Sequence, residues 1–230
     1  IVLGQNKQGQ LVQVYWIMGR SANSRNRIFR VEGDDVATQA ADPSKLEDPS
    51  LIIYHPVRVR GACHIVSNGD QTDTIMRQIQ DMAASHGAQA SSAVAFQLAC
   101  QSRQYEPDPP NFTPRISGLM DLRDRQCAYQ LSILKANRQI DGLSQRNFFS
   151  YEKPLPGFGH CITTYQGDGN PLPTFAGEPR VVPLQDDLDA ALDFWWGLLN
   201  PENRISLLVK FIDPATGVSG LKVVNKHAAD

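Results

Sequence analysis

No apolar run in this sequence approaches the roughly 20 residues needed to span a bilayer, so no transmembrane helix is expected. The four cysteines, Cys63, Cys100, Cys127 and Cys161, are scattered and make no C-x-x-C pair. That excludes the common zinc sites and a dense disulfide framework, and no metal is expected. Charge of one sign is not in excess. The 22 basic and 24 acidic residues leave a formal charge of −2, which gives no global field to gather nucleic acid or an anionic membrane. Also missing are H-E-x-x-H, G-x-S-x-G, a P-loop and the glycine-rich dinucleotide fingerprint, which removes the commonest metal, serine-hydrolase and nucleotide-cofactor chemistries. These absences leave a chain expected to be soluble and cytoplasmic, to need no cofactor, and to hold any anion at a local site.

What is present is an ordinary globular composition, 41% hydrophobic over 230 residues, enough to bury a sizeable core. Residues 1–3 and 11–18 are apolar or β-branched runs around a polar, glycine-containing connection, the pattern of a hairpin. Further strands are expected at 27–31, 51–59, 62–66, 115–122, 127–135, 143–149 and 160–165. Residues 73–103 read as two helices broken at 85–87, with Asp73 as an N-cap. Residues 187–199 put Leu188, Leu192, Trp195 and Leu199 on one face of a helix stopped by Pro201, and 205–212 with 218–224 make a closing hairpin. Strand runs, then helices, then strands, then a helix predict an α+β protein with two sheets between helical layers.

Three segments concentrate chemistry. GRSANSRNR, residues 19–27, brings Arg20, Arg25 and Arg27 together with Ser21, Asn23, Ser24 and Asn26. Guanidinium forks and hydroxyls suit a phosphate, although the same residues would serve as a solvated basic loop. VSNGDQTDTI, residues 66–75, ends a strand and starts a helix. Asn68, Gly69, Gln71, Thr72 and Asp73 there make either a turn with its cap or a polar ligand site. YEPDPPNFTPRI, residues 105–116, holds Glu106, Asp108, Asn111, Thr113 and Arg115 on a stiff proline-rich connection, as a proton-transfer pair or as a plain surface ion pair. Tyr54 lies among Leu and Ile as a core ring or an acid. His160 and Cys161, adjacent on a strand, point to opposite faces and cannot act as a dyad.

In this order, GRSANSRNR, LIIYHPVRV, VSNGDQTDTI and YEPDPPNFTPRI resemble the archaeal-type IMP cyclohydrolase family and its bacterial relatives, with ITTY and GEP as a weaker last match. The resemblance runs to about Tyr165, and the part after about residue 180 carries no motif. It implies a single domain over residues 1–230 and a four-layer αββα sandwich like that of the N-terminal-nucleophile hydrolases. The implied activity is closure of 5-formamidoimidazole-4-carboxamide ribonucleotide to IMP in purine biosynthesis, with the purine ribonucleotide as small-molecule partner and a homo-oligomer as a possible state. The family's catalytic residues carry over to Arg25, Tyr54 and Glu106. Arg20, Ser21, Arg27, Asn68, Gly69, Gln71, Asp73, Asn111, Thr113 and Arg115 are then left to bind phosphate, ribose and base. RSANSRNR has one more arginine than the family pattern, so Arg25 and Arg27 can exchange roles. The alternatives are a purine-nucleotide-binding protein without turnover, and an amidohydrolase of the same fold, which would need a Cys, Ser or Thr exposed upstream of Ile1.

Overall fold

The computed structural model describes residues 1–87, 90–137 and 139–227. In chain order the elements are β1 (Val2–Gln5), β2 (Leu11–Met18), α1 (Ala22–Arg25), β3 (Ile28–Glu32), β4 (Asp35–Gln39), β5 (Val57–Arg60), β6 (Cys63–Ser67), α2 (Gln71–His86), α3 (Ser92–Gln101), β7 (Arg115–Asp121), β8 (Tyr129–Ala136), β9 (Ser144–Tyr151), β10 (Phe158–Cys161), β11 (Arg180–Pro183), α4 (Leu188–Leu198), β12 (Arg204–Ile212) and β13 (Ser219–Asn225). The fold is α+β. One sheet has the order β11-β10-β1-β2-β12-β13 and the other β3-β4-β5-β6-β7-β8-β9.

Strand alternation explains how the layers meet. On β2, Leu11, Tyr15 and Ile17 face the second sheet, whereas Val12 and Val14 face α4. β12 repeats this, with Leu208 and Ile212 on one side and Leu207, Val209 and Phe211 on the other. Both strands are central and covered on two faces, which is why they read as near-continuous apolar runs. α4 packs Trp195 on Trp16, ring centroids 5.8 Å apart, while α2 and α3 place Ile75, Met76, Ile79, Phe96 and Cys100 against Ile65 and Leu119 of the other sheet. The sheets approach closely at Gly118: a β-carbon there would lie 2.8 Å from Leu3 Cδ1.

Several boundaries differ from the sequence expectations. The expected strand at 51–59 begins only at Val57; ahead of it the chain makes a 3-10 turn at Pro49–Leu51, capped by Asp48. Pro49 and Pro56 lack the N–H that a sheet ladder needs, so the strand cannot extend back through them. α2 starts at Gln71 after Asp70, so Asp73 lies in its first turn and is not the N-cap. The strand at 160–165 is shifted to Phe158–Cys161, and β4 and β11 were not expected. Residues 88 and 89 of the expected helical stretch lie outside the described residues. Among the described residues, no helix is long and apolar enough to cross a membrane.

The inter-sheet core holds a polar group opposite the end where the loops of interest meet. Lys210, fully buried, donates to the Asp34 carbonyl at 3.2 Å, and burial lowers its pKa to about 8. His64 is 1% exposed, and among the described residues neither ring nitrogen has a hydrogen-bond partner. Burial, helped by the Lys210 charge, holds its pKa down to about 4. The neutral ring is favoured in the folded state. Its contribution to stability is therefore full above pH 6.5 and lost as the pH falls through about 4. Over that interval wild type should lose roughly 3 kcal/mol that His64→Leu does not, read by denaturant unfolding near neutrality and at about pH 4. Equal losses in both proteins would remove His64 as the cause.

Candidate active site

Loops and strand ends converge at one end of the two sheets. Residues 19–27 follow β2, and the first contacts they make are local. Ser21 Oγ accepts from the Ser24 N–H and Ser24 Oγ from the Ser21 N–H, each at 3.1 Å, so the single turn α1 carries a reciprocal cap. The cap turns Arg25 outward, where Nε donates to the Gly19 carbonyl and Nη2 to Asn203 Oδ1, both at 3.1 Å. Arg20 is also at the surface, paired with Asp168 at 2.5 Å. Arg27 differs from both. It shares strand parity with Phe29, whose ring is in the inter-sheet core, and so points inward and is only 9% exposed. Its Nε donates to the Ser24 carbonyl at 2.8 Å.

Tyr54, in the connection that precedes β5, meets Arg27, which precedes β3 of the same sheet. Its backbone is clamped by Thr38 of β4, whose Oγ1 accepts from the Tyr54 N–H at 2.8 Å and whose N–H donates to the Tyr54 carbonyl at 2.9 Å. The buried phenol lies 2.8 Å, oxygen to oxygen, from that of Tyr15. Burial raises the Tyr54 pKa, with the Arg27 charge and the Tyr15 hydrogen bond opposing it.

Glu106 completes the group. Its N–H donates to the Thr113 carbonyl at 2.9 Å, and Asp108 holds Thr113 through the backbone N–H at 2.6 Å and through the hydroxyl at 2.5 Å. The proline-rich connection thus folds back on itself and fixes the carboxyl, which is within electrostatic range of Arg27, Tyr15 and Tyr54. Burial raises the Glu106 pKa to about 7; Arg115 and Arg27 work against that, and Asp108 and Asp70 reinforce it. Arg115 is the stronger of the two opposing charges, although it is shared with other partners. Its Nη1 lies 2.8 Å from Asp70 Oδ1 and 2.7 Å from Gln71 Oε1, but 3.6 Å from Glu106 Oε1. The result is a carboxyl poised to exchange a proton near neutrality.

The remaining expected site residues build this arrangement. Asn68 Oδ1 accepts from the Ile116 N–H and from Gln71 Nε2, and Asn68 Nδ2 donates to the Pro114 carbonyl. Asn68 and Gln71 therefore spend their polar groups on joining β6, α2 and β7. Gly69 is required for space: a β-carbon would come 2.3 Å from Arg115 Nη1 and 2.6 Å from Gln71 Oε1. In Gly69→Ala the guanidinium end should give way, costing about 1 kcal/mol of stability and moving the Glu106 titration further up. Thermal unfolding with a carboxyl titration checks this, and an unmoved Glu106 would show that Arg115 does not act on it.

Other positions fall outside the cluster. Asp73 turns away, to Arg58 at 2.8 Å and His55 at 3.0 Å. Asn111 Oδ1 accepts from the Leu172 N–H, and Thr113 Oγ1 lies 2.6 Å from the Tyr165 hydroxyl, so both hold the segment after β10. His160 bonds the Tyr129 hydroxyl at 2.7 Å and stacks on Tyr151, whereas Cys161 faces the α4 side, so the two do not meet. Sequence reasoning missed Tyr15 and Asp70. A tyrosine at an inward-facing position of a central strand was the available signal for the first, and an acid directly before a helix for the second.

Two cavities flank this end. One, of about 430 Å³, is lined by Arg103, Tyr105, Phe112 and Arg115 among others; the second, of about 640 Å³, lies between Ile133, Lys135 and Phe149 of β8 and β9 and residues 175–178. Neither is lined by Arg27, Tyr54 or Glu106. Among the described residues no His, Cys, Asp or Glu cluster is suited to a metal.

Comparison with known proteins gives a family match over almost the whole chain. The model of the family described as IMP cyclohydrolase-like protein matches residues 1–217. An IMP cyclohydrolase of Methanothrix thermoacetophila is 34% identical over 111 residues, 47% of this chain and 51% of that protein. An IMP cyclohydrolase of Methanococcus aeolicus is 28% identical over 121 residues, 53% and 56% of the two chains. The chain thus spans about half the length of the curated relatives it matches.

Proposed function

Because this chain belongs to the IMP cyclohydrolase-like protein family, we propose that it closes 5-formamidoimidazole-4-carboxamide ribonucleotide to IMP with loss of water. The observation that carries this reading is the buried Glu106 carboxyl, titrating at about 7, beside the paired Tyr54 and Tyr15 hydroxyls and the Arg27 guanidinium.

The chemistry asks for what these groups supply. Both reacting groups belong to one substrate, so positioning replaces a second encounter. The carboxamide nitrogen is a weak nucleophile. Glu106, as carboxylate, takes one of its protons as it bonds to the formyl carbon. The formyl oxygen gains charge facing Arg27 and accepts the Tyr54 proton. In the second half, Glu106 returns its proton to the departing hydroxyl. The Tyr54 phenolate takes the proton of the former formamide nitrogen as the carbon–nitrogen double bond forms, and both side chains end as they began.

In this reading Arg27, the buried one, replaces Arg25 as the arginine at the reacting atoms, and Tyr54 and Glu106 keep the roles that the resemblance implies. Arg20 and Arg25, both exposed, are our candidates for the phosphate, with Ser21 shaping their loop. Asn68, Gly69 and Gln71 hold the junction that carries Arg115 beside Glu106. Asp73 is left out of the site. The two sheets with helices outside them support one domain resembling the N-terminal-nucleophile hydrolases, and the chemistry above uses no terminal nucleophile. Four free cysteines fit a reducing cytoplasm.

The test is absorbance-monitored conversion of the formamido ribonucleotide by purified protein, with and without a chelator. IMP should form at the same rate in both. Folded protein that binds IMP tightly without forming it would move the assignment to a nucleotide-binding protein.

A further inference from the structure

Tyr15 is not assigned any role by the reaction as written, yet it sits deeper than Tyr54. The residue is 2% exposed, its ring 5.7 Å from that of Phe29 between the sheets, and its hydroxyl 2.8 Å from Tyr54 Oη. One O–H···O bond has one donor, and the direction matters. If Tyr54 donated to Tyr15, the Tyr15 proton would have no hydrogen-bond acceptor among the described residues, a costly arrangement. If Tyr15 donates, its proton is used. The Tyr54 oxygen then accepts from Tyr15 and faces the Arg27 guanidinium, which can only donate. With donors on two sides, the Tyr54 proton must turn away from both.

We infer that Tyr15 is the positioning residue of Tyr54, donating its hydroxyl proton to Tyr54 Oη so that the Tyr54 proton is the one delivered during ring closure. This rests on the ring-closing reading above. The charged and titratable groups facing Tyr15 agree with it. Burial, Tyr54 and Glu106 hold the Tyr15 proton on well above the usual phenol range, against the Arg27 charge; burial also raises the Tyr54 pKa, and there Arg27 and the Tyr15 hydrogen bond oppose it while Glu106 adds to it.

Tyr15→Phe keeps the ring and removes the donor. The expected result is a fall in kcat of about tenfold or more with KM within about twofold, and no further loss when it is combined with Tyr54→Phe. The Tyr54 Cζ resonance, followed by NMR in tyrosine-labelled protein, should titrate at higher pH in Tyr15→Phe than in wild type. Should that variant unfold, 3-fluorotyrosine in place of Tyr15 retains the packing with a stronger donor, and the Tyr54 resonance should then titrate lower. Unchanged kcat, or a loss that persists in full beside Tyr54→Phe, would overturn the role of Tyr15 and leave the ring-closing reading intact. A folded wild type that makes no IMP would overturn that reading. The donor direction would then stand or fall on the Cζ titration alone, an unmoved resonance refuting it.

Discussion

Glu106→Gln is expected to lower the cyclisation rate by about a thousandfold and, above neutral pH, to make the protein more stable. The two effects have one cause. The wild-type carboxyl is 8% exposed and its pKa is raised to about 7, first by burial. A carboxyl with a raised folded pKa contributes stability that is full below about pH 4.5 and is lost as the pH rises through about 7. At about pH 8 the ionised group therefore costs wild type up to roughly 3 kcal/mol, and a glutamine of the same shape avoids most of it. Denaturant unfolding at about pH 8 and at about pH 5 reads the difference, which should shrink or vanish on the acid side. A Gln variant that is slower and also less stable at high pH would show that Glu106 is a structural partner of Arg115 and not a strained base.

The second large effect separates two arginines two residues apart. Arg27→Ala should cost about a hundredfold or more in kcat, because the guanidinium faces Tyr54 and Glu106 from a buried position. Arg27→Lys should recover little, since a point charge does not reproduce the fork. Arg25→Ala should leave kcat within about threefold and act mainly on KM, as expected for a rim contact to phosphate. Steady-state kinetics of the three variants decide it. The reverse pattern would restore Arg25 to the reacting atoms and require the α1 turn to open.

Much of the frame was legible. The β1–β2 and β12–β13 hairpins announce themselves as apolar, β-branched runs around turn residues, and α4 by apolar residues at helical spacing. β4, with the sequence DVATQ, was not, because three of its five residues are polar and it is recognisable only as the partner of β3 across the Gly33 turn. β11 contains Pro183 and pairs with β10 alone at the sheet edge, where a proline is tolerated. Within the candidate site, the resemblance pointed to Tyr54 and Glu106, which the fold brings into one buried group. The choice between Arg25 and Arg27 depends on whether one turn of helix intervenes before β3, and four residues with one serine and one asparagine do not declare that in advance. Tyr15 was hidden for a different reason: in LVQVYWIM it reads as one more core ring, and only the other sheet brings Tyr54 to its hydroxyl.

The most direct test of the account is the pH dependence of kcat/KM for wild type with the formamido ribonucleotide. A base titrating at about 7 in the free enzyme should give a rate that falls tenfold per pH unit below that value and levels above it. A profile flat from about pH 5 to about pH 8, or one whose fall lies at an ordinary carboxylate pKa, would contradict Glu106 as the base that starts ring closure.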